Sequence, residues 1–393
     1  MIELTDKSVC CGCSACATSC RQDCIEMVMD TEGFRYPLIN ETKCNDCGVC
    51  IKRCPSQKEY RSSNQPAVYA VWNQNDLYRK ESSSGGVFKA LMDQVLLEGG
   101  IVFGAAFDET MTLRHIAIRD EKESRRLMGS KYLQSETDGA FRETRQLLNK
   151  GKRVLFSGTP CQIAGLYACV DQDDKNLLTC DLVCHGVPSP KVFASYIAML
   201  ERKHGSKVRK INFRDKISGW NQYSVSIFFS NGEMVYWLAK KDPFILGFLR
   251  NIYLRPSCHN CRFSKISRIA DITLGDFWGL NTFYPEWDDD RGTSLILVQT
   301  SKGSSAVDAC SHDLVVHEAD LEKARKFNPS IYTSSPASEK RSEFFIDFGM
   351  IPFEEMIDKY MSPTKISNKF INVTKSIGRK GINYLRRLPI ENF

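Results

Sequence analysis

Two cysteine runs of identical spacing open the chain: Cys10-x-x-Cys13-x-x-Cys16-x-x-x-Cys20 and Cys44-x-x-Cys47-x-x-Cys50-x-x-x-Cys54-Pro55. Three thiolates this close wrap a tight loop around one face of an inorganic cubane, and the fourth cysteine of each run serves the other cubane. The spacing predicts a pair of [4Fe–4S] clusters. One would sit on Cys10, Cys13, Cys16 and Cys54, the other on Cys44, Cys47, Cys50 and Cys20. Paired zinc motifs lack the third and fourth cysteine at these intervals. Cys20 is followed by Arg21 rather than proline, which changes the loop but removes no ligand. Cys11 and Cys24 fall outside the pattern and read as small buried hydrophobes. With every iron corner taken by cysteine, such a pair has no position for substrate and passes single electrons.

The chain has 17 cysteines, ten of them before residue 55. No basic segment followed by an apolar one opens the sequence, so a disulfide framework is not the expectation. The clustering suits metal ligation in a reducing compartment, and a cytoplasmic location is expected. No apolar run approaches the ~20 residues needed to cross a bilayer. A length of 393 residues allows two or three domains. Charge is uneven: residues 363–393 hold seven basic residues and one acid, a net +6 that equals the charge of the whole chain. The remaining body is neutral, which argues against nucleic acid as a partner.

Ser56–Pro66 is polar and aperiodic and reads as a linker. It divides an N-terminal unit, residues 1–58, from a larger one, residues 66–325, whose parts are about 66–150 and 151–325; residues 326–393 form a C-terminal extension. The larger unit alternates helical and strand patterns: strand-like Ala67–Trp72, a helix over Val87–Leu96 ended by Gly99-Gly100, and a buried strand over Ile101–Phe107. The fold class is therefore α+β and α/β, a bacterial-type ferredoxin domain followed by a larger α/β domain. Ser82-Ser83-Ser84-Gly85-Gly86 opens that helix and suits either a phosphate or a simple N-cap. No G-x-G-x-x-G or Walker A sequence is present.

Arg153–Ser157 reads as a strand running into Gly158-Thr159-Pro160-Cys161 and a helix, and Leu177–Val183 as another ending in Cys184-His185-Gly186. If parallel, both strands present a cysteine at their carboxyl ends, the edge where α/β sheets keep their sites. A helix N-terminus beside Cys161 should lower its pKa. Cys161, Cys184, Cys258 and Cys261 together make four ligands for a third centre, which the residues alone leave open between zinc and iron–sulfur. Cys180 faces the same way as Cys184 on strand alternation and is a reserve ligand; Cys169 and Cys310 read as packing residues.

These motifs occur in an order, with Gly129-Ser130-Lys131-Tyr132, Gly158-Thr159-Pro160-Cys161-Gln162, Phe213-Arg214-Asp215-Lys216, Gly219-Trp220 and Asp271-Ile272-Thr273-Leu274-Gly275-Asp276-Phe277-Trp278, that resembles the beta subunit family of coenzyme F420 hydrogenases and dehydrogenases. The resemblance spans about residues 4–320 and is strongest to the bacterial branch with an N-terminal ferredoxin domain, often found in polysaccharide-biosynthesis settings. It implies a flavin, FAD, and one further [4Fe–4S] cluster on Cys161, Cys184, Cys258 and Cys261. It makes Ser83, Ser84, Gly85, Gly86, Gly129, Ser130, Lys131 and Tyr132 candidates for the flavin pocket, with Gly158, Thr159 and Arg214 as further cofactor contacts. Lys131 and Arg214 would stabilise an anionic flavin or a substrate phosphate, or else form ion pairs with Asp215 or Asp276. His185 is either a proton donor or a group orienting the Cys184 loop. Trp220 and Trp278 either stack near a planar cofactor or pack in the core. The implied activity is an FAD-dependent iron–sulfur oxidoreductase acting on a small molecule, with a deazaflavin or nicotinamide donor and a redox partner protein or ferredoxin. The alternatives are an electron-transfer adapter and a structural iron–sulfur subunit. The basic tail suits either an anionic membrane surface or a partner.

Overall fold

The computed structural model describes residues 6–58, 60 and 65–362; the basic tail, and with it the membrane expectation, lies outside the described residues, as does part of the polar linker. A short helix, Ala15–Ser19, follows the first cysteine loop. An antiparallel hairpin of β1 (Ile25–Met29) and β2 (Arg35–Ile39) comes next. The helix Val49–Lys52 follows the second loop.

The larger part is built on an eight-stranded sheet. Its members are β3 (Ala67–Asn73), β4 (Ile101–Phe107), β5 (Leu113–Ile118), β6 (Val154–Ser157), β7 (Leu177–Leu182), β11 (Ile272–Asp276), β12 (Ser294–Val298) and β13 (Leu314–Glu318). β8 (Val208–Asp215), β9 (Ser224–Phe229) and β10 (Met234–Leu238) form a separate antiparallel sheet. The large sheet runs β13-β3-β12-β11-β7-β6-β4-β5. Only β11, β7, β6 and β4 pair in parallel; the outer strands are antiparallel. The sheet is mixed because tight turns reverse the chain at its margins. Between β4 and β5, the Asp108 carboxylate accepts the N–H groups of Thr110 and Thr112, which fixes a turn and forbids a parallel crossover.

The parallel strands β6 and β7 are buried on both faces, as their apolar runs require. Helix Val87–Leu97 covers the sheet through Val87, Leu91, Met92 and Val95. Its start at Gly86 (φ +87°) is a left-handed position that favours glycine.

The small sheet, the helix Pro190–His204 and the helix Pro243–Leu249 enclose an aromatic core that includes Phe193, Tyr196, Phe213 and Phe244. Phe344, Tyr360 and Met361 enter the same core. The first part of the C-terminal extension is therefore folded structure rather than an appendage. The described residues up to Met361 form one compact unit, and the cysteine-rich N-terminal segment is packed into it.

Candidate functional site: three cysteine sets

The two N-terminal loops share one backbone conformation. In the first, Gly12 and Ser14 take φ of +66° and +63°; in the second, Asp46 and Gly48 take +51° and +69°. Alternating left-handed residues inside Cys-x-x-Cys turn successive N–H groups toward a common centre, the nest geometry that receives an anion. Cys10 and Cys54 are both electrostatic neighbours of Cys16, and Cys10 and Cys16 are neighbours of Cys13. Burial, then the neighbouring Cys10, pushes the Cys16 thiol up to about 12. In the second set Cys20 and Cys44 flank Cys24, whose sulfur lies 3.3 Å from that of Cys20. Cys50 is buried beside Met27 and Cys47 is exposed.

The third set gathers Cys161, Cys184, Cys258 and Cys261 on one cavity of about 280 Å³. Cys161 sits in the first turn of the helix Pro160–Tyr167, directly after β6, and Cys184 follows β7. Cys258 ends the turn Pro256–Cys258 and accepts the Val187 N–H at 3.4 Å. Gly186 permits the approach, because a Cβ there would stand 2.9 Å from Leu254 and 3.3 Å from the Cβ of Cys258.

Burial raises the Cys184 thiol, and its three partners raise it further; burial takes Cys258 up to about 12. Cys161 is also raised, by its hydrogen bond with Cys11 and by burial, which overturns the expectation that the helix start lowers it. Four thiols crowded in a buried space cannot ionise together without a cationic core among them, whereas a coordinating thiol is deprotonated outright. The donor set and the cavity thus fit a thiolate-bound metal centre. Among the described residues no three His, Cys, Asp or Glu side chains are posed around a single metal ion. A cubane asks for less convergence, since it spreads its thiolates over separate irons.

Cys180 is fully buried in the sheet core. β7 ends at Leu182, so strand alternation does not carry through to Cys184, and Cys180 is no reserve ligand. Cys11 packs against the apolar cluster that contains Cys13, as its reading as a packing residue expects, and it also lines the cavity of the third set, a position the sequence reading did not assign. The signal available was the Cys10-Cys11 doublet inside a ligand loop.

The serine–glycine turn and the Gly129–Tyr132 segment meet: the Ser130 N–H donates to Ser83 Oγ at 2.7 Å. Ser84 and Gly85 are committed elsewhere. Ser84 Oγ donates to the Thr293 carbonyl and the Gly85 N–H donates to Ser294 Oγ, each at 2.9 Å. Lys131 Nζ donates to the carbonyls of Arg126 and Met128. It pairs with neither Asp215 nor Asp276, and burial takes its pKa down to about 7.

Gly158 and Thr159 belong to the Cys161 loop, where Thr159 and Gln162 cap each other. Arg214 is ion-paired with Asp276 at 2.8 Å, and its other two nitrogens, Nε and one Nη, are buried with no hydrogen-bond acceptor. Trp220 and Trp278 stack on each other 5.0 Å apart. His185 is held at both ring nitrogens, by Asn251 at 2.7 Å and Ser335 at 3.3 Å. Burial lowers its pKa.

Residues 151–324, which contain the whole third cysteine set, match the family described as the C terminus of the coenzyme F420 hydrogenase/dehydrogenase beta subunit. Over that span the chain is similar to this beta subunit family. An uncharacterized protein of Methanocaldococcus jannaschii is 25% identical over 207 residues, covering 44% of this chain and 56% of the relative. The chain thus spans little more than half the length of that relative. Among solved structures, the F420-reducing [NiFe] hydrogenase complex from Methanosarcina barkeri contains a chain similar at a TM-score of 0.47 and 19% identity, covering 69% of this chain and 90% of that one. Among the described residues no helix is long and apolar enough to cross a membrane.

Proposed function

We propose that the chain is an iron–sulfur oxidoreductase that moves single electrons through three [4Fe–4S] clusters. The first is held by Cys10, Cys13, Cys16 and Cys54, the second by Cys20, Cys44, Cys47 and Cys50, the third by Cys161, Cys184, Cys258 and Cys261. Residues 1–58 would then be a two-cluster ferredoxin-like unit serving the larger domain. The observation that carries this reading is the packing of the first set on the third: a Cβ on Gly165, in the helix that carries Cys161, would stand 3.1 Å from the Cys13 sulfur. Adjacent sets are what stepwise single-electron transfer requires.

The reading extends to FAD on the rim where Ser83 meets Ser130, with Lys131, Tyr132 and Arg214 beside it. A flavin supplies hydride acceptance and single-electron release. Arg214 Nε and its free Nη would then find an acceptor. A small-molecule donor, deazaflavin or nicotinamide, and a redox partner protein complete the proposal.

The adapter reading has one observation in its favour: Ser84 and Gly85 spend their donors inside the fold rather than on a ligand. Anaerobic purification decides between them. The enzyme reading expects close to twelve irons with matching sulfide, and flavin released on acid denaturation. Twelve irons without flavin leave the adapter, and eight irons without flavin remove the third cluster as well.

A further inference from the structure

Arg255 is 2% exposed, yet none of the carboxylates described near it pairs with it. Its Nε donates to the Cys10 carbonyl at 2.9 Å and one terminal nitrogen donates to the Arg35 carbonyl at 2.8 Å. That same nitrogen lies 3.9 Å from Cys10 Sγ, and the other lies 3.4 Å from the Gln134 amide oxygen. The guanidinium rests on the Tyr36 ring, 4.4 Å from its centroid. Gly12 makes the room: a Cβ there would stand 2.6 Å from the guanidinium nitrogen. On its other side Arg255 belongs to the third set. Its carbonyl accepts the Cys258 N–H at 2.9 Å, and its side chain lines the cavity with Cys161 and Cys184. The ionisable groups that face it are Cys10, Tyr36, Cys11 and Cys258.

A guanidinium out of water without a counter-charge is strongly destabilised. Neutral thiols and carbonyls do not supply that charge. Thiolates ligating a cluster do, and here they come from two different sets. On the iron–sulfur reading above, we infer that Arg255 is a shared counter-cation, placed between the first and third clusters so that its charge sets the reduction potentials of both. A positive charge stabilises the reduced, more anionic form of a neighbouring cluster and so raises its potential. Arg255 takes no part in bond making; it positions the Cys10 and Cys258 loops and biases where the electron rests between them.

The test uses the full chain, purified anaerobically, as wild type, Arg255→Gln and Arg255→Lys, with iron and sulfide analysis and potentiometric titration followed by electron paramagnetic resonance. In Arg255→Gln the first and third clusters should each lose at least tenfold in the ratio of reduced to oxidised form at fixed ambient potential, about 59 mV for a one-electron couple. The Cys20, Cys44, Cys47 and Cys50 cluster should not move. Arg255→Lys should hold both potentials close to wild type. If Arg255→Gln fails to retain iron, Arg255→Lys decides: clusters kept at wild-type potential support the charge, and clusters lost or shifted overturn it. Unchanged potentials, a shift in one cluster only, or an equal shift in all three also overturn it. Wild-type protein with fewer than twelve irons would instead sink the three-cluster reading, a failure visible before any variant is made.

Discussion

Gly165 faces Cys13 so closely that a Cβ on the glycine would stand 2.9 Å from the Cβ of Cys13 and 3.1 Å from its sulfur. Gly165 lies in the helix Pro160–Tyr167, which begins at the third cysteine set, and Cys13 belongs to the first. The two sets are therefore held together by backbone-on-loop packing as well as by Arg255.

That approach makes Gly165→Ala a sharp test. Alanine is the better helix former by about 1 kcal/mol. The added methyl nevertheless meets Cys13 and the Phe141 ring, and overpacking a filled site costs about 1–3 kcal/mol. The expected net effect is a lower denaturation midpoint, with iron lost first from the Cys10, Cys13, Cys16 and Cys54 set. A variant as stable as wild type would rule out the close contact.

His115 predicts a pH dependence. Its Nε2 lies 2.7 Å from the Ser157 carbonyl, which only accepts, so Nε2 carries the proton and Nδ1 accepts from Ser135 Oγ at 2.7 Å. Ser157 ends the strand that leads to Cys161. Burial takes this imidazole down to about 4, whereas an unfolded histidine titrates near 6.5. Between those values the unfolded chain binds the extra proton. Stability is therefore complete above about pH 6.5 and falls as the pH drops toward 4, by up to roughly 3 kcal/mol. Denaturation midpoints measured from pH 7 to 5, with iron content checked at each point, should fall less steeply in His115→Gln than in wild type. Identical slopes would show that another group governs acid loss.

What was legible in the sequence follows from how each feature is encoded. The cysteine runs repeat at fixed spacing, so their loops and the repeated left-handed positions at Gly12 and Asp46 follow from local constraint. That Cys161 and Cys184 each follow an apolar run was equally readable, but the parallel pairing of those runs was only a condition until the β6–β7 register supplied it. Arg255 was not, since its partners lie 245 and 220 residues away at Cys10 and Arg35, and a lone arginine carries no periodicity. Ser335 reaches His185 from a segment beyond the reach of the family resemblance. Ser84 and Gly85 resemble a phosphate turn in composition, yet Thr293 and Ser294, where β12 begins, take their donors, and only the tertiary fold decides that.

Asp276→Asn should show how much the buried Arg214 pair contributes. Asp276 accepts from Arg214 and from Trp220 Nε1, and the Arg214 side chain is only 3% exposed. An asparagine keeps an oxygen for Trp220 but leaves the guanidinium without an anion, a loss of about 3 kcal/mol. The exposed Arg325–Glu322 pair provides the contrast; Glu322→Gln should change stability by under about 1 kcal/mol. Similar losses in both variants would mean that Arg214 finds its counter-charge elsewhere.

Cys24 separates ligation from proximity. It is 5% exposed and touches Cys20 while also facing Cys44, so geometry alone does not exclude it as a ligand. The repeat does: its partner position, 34 residues further on, falls at Lys58, outside the second cysteine run. Cys24→Ser should therefore keep the full iron content, with only the cost of a poorly satisfied buried hydroxyl, about 1–3 kcal/mol. Cys20→Ser should lower iron by one cluster and leave the other sets intact. The reverse pattern, iron lost in Cys24→Ser and retained in Cys20→Ser, would move the fourth ligand of the second cluster from Cys20 to Cys24 and break the pseudo-symmetry of the two loops.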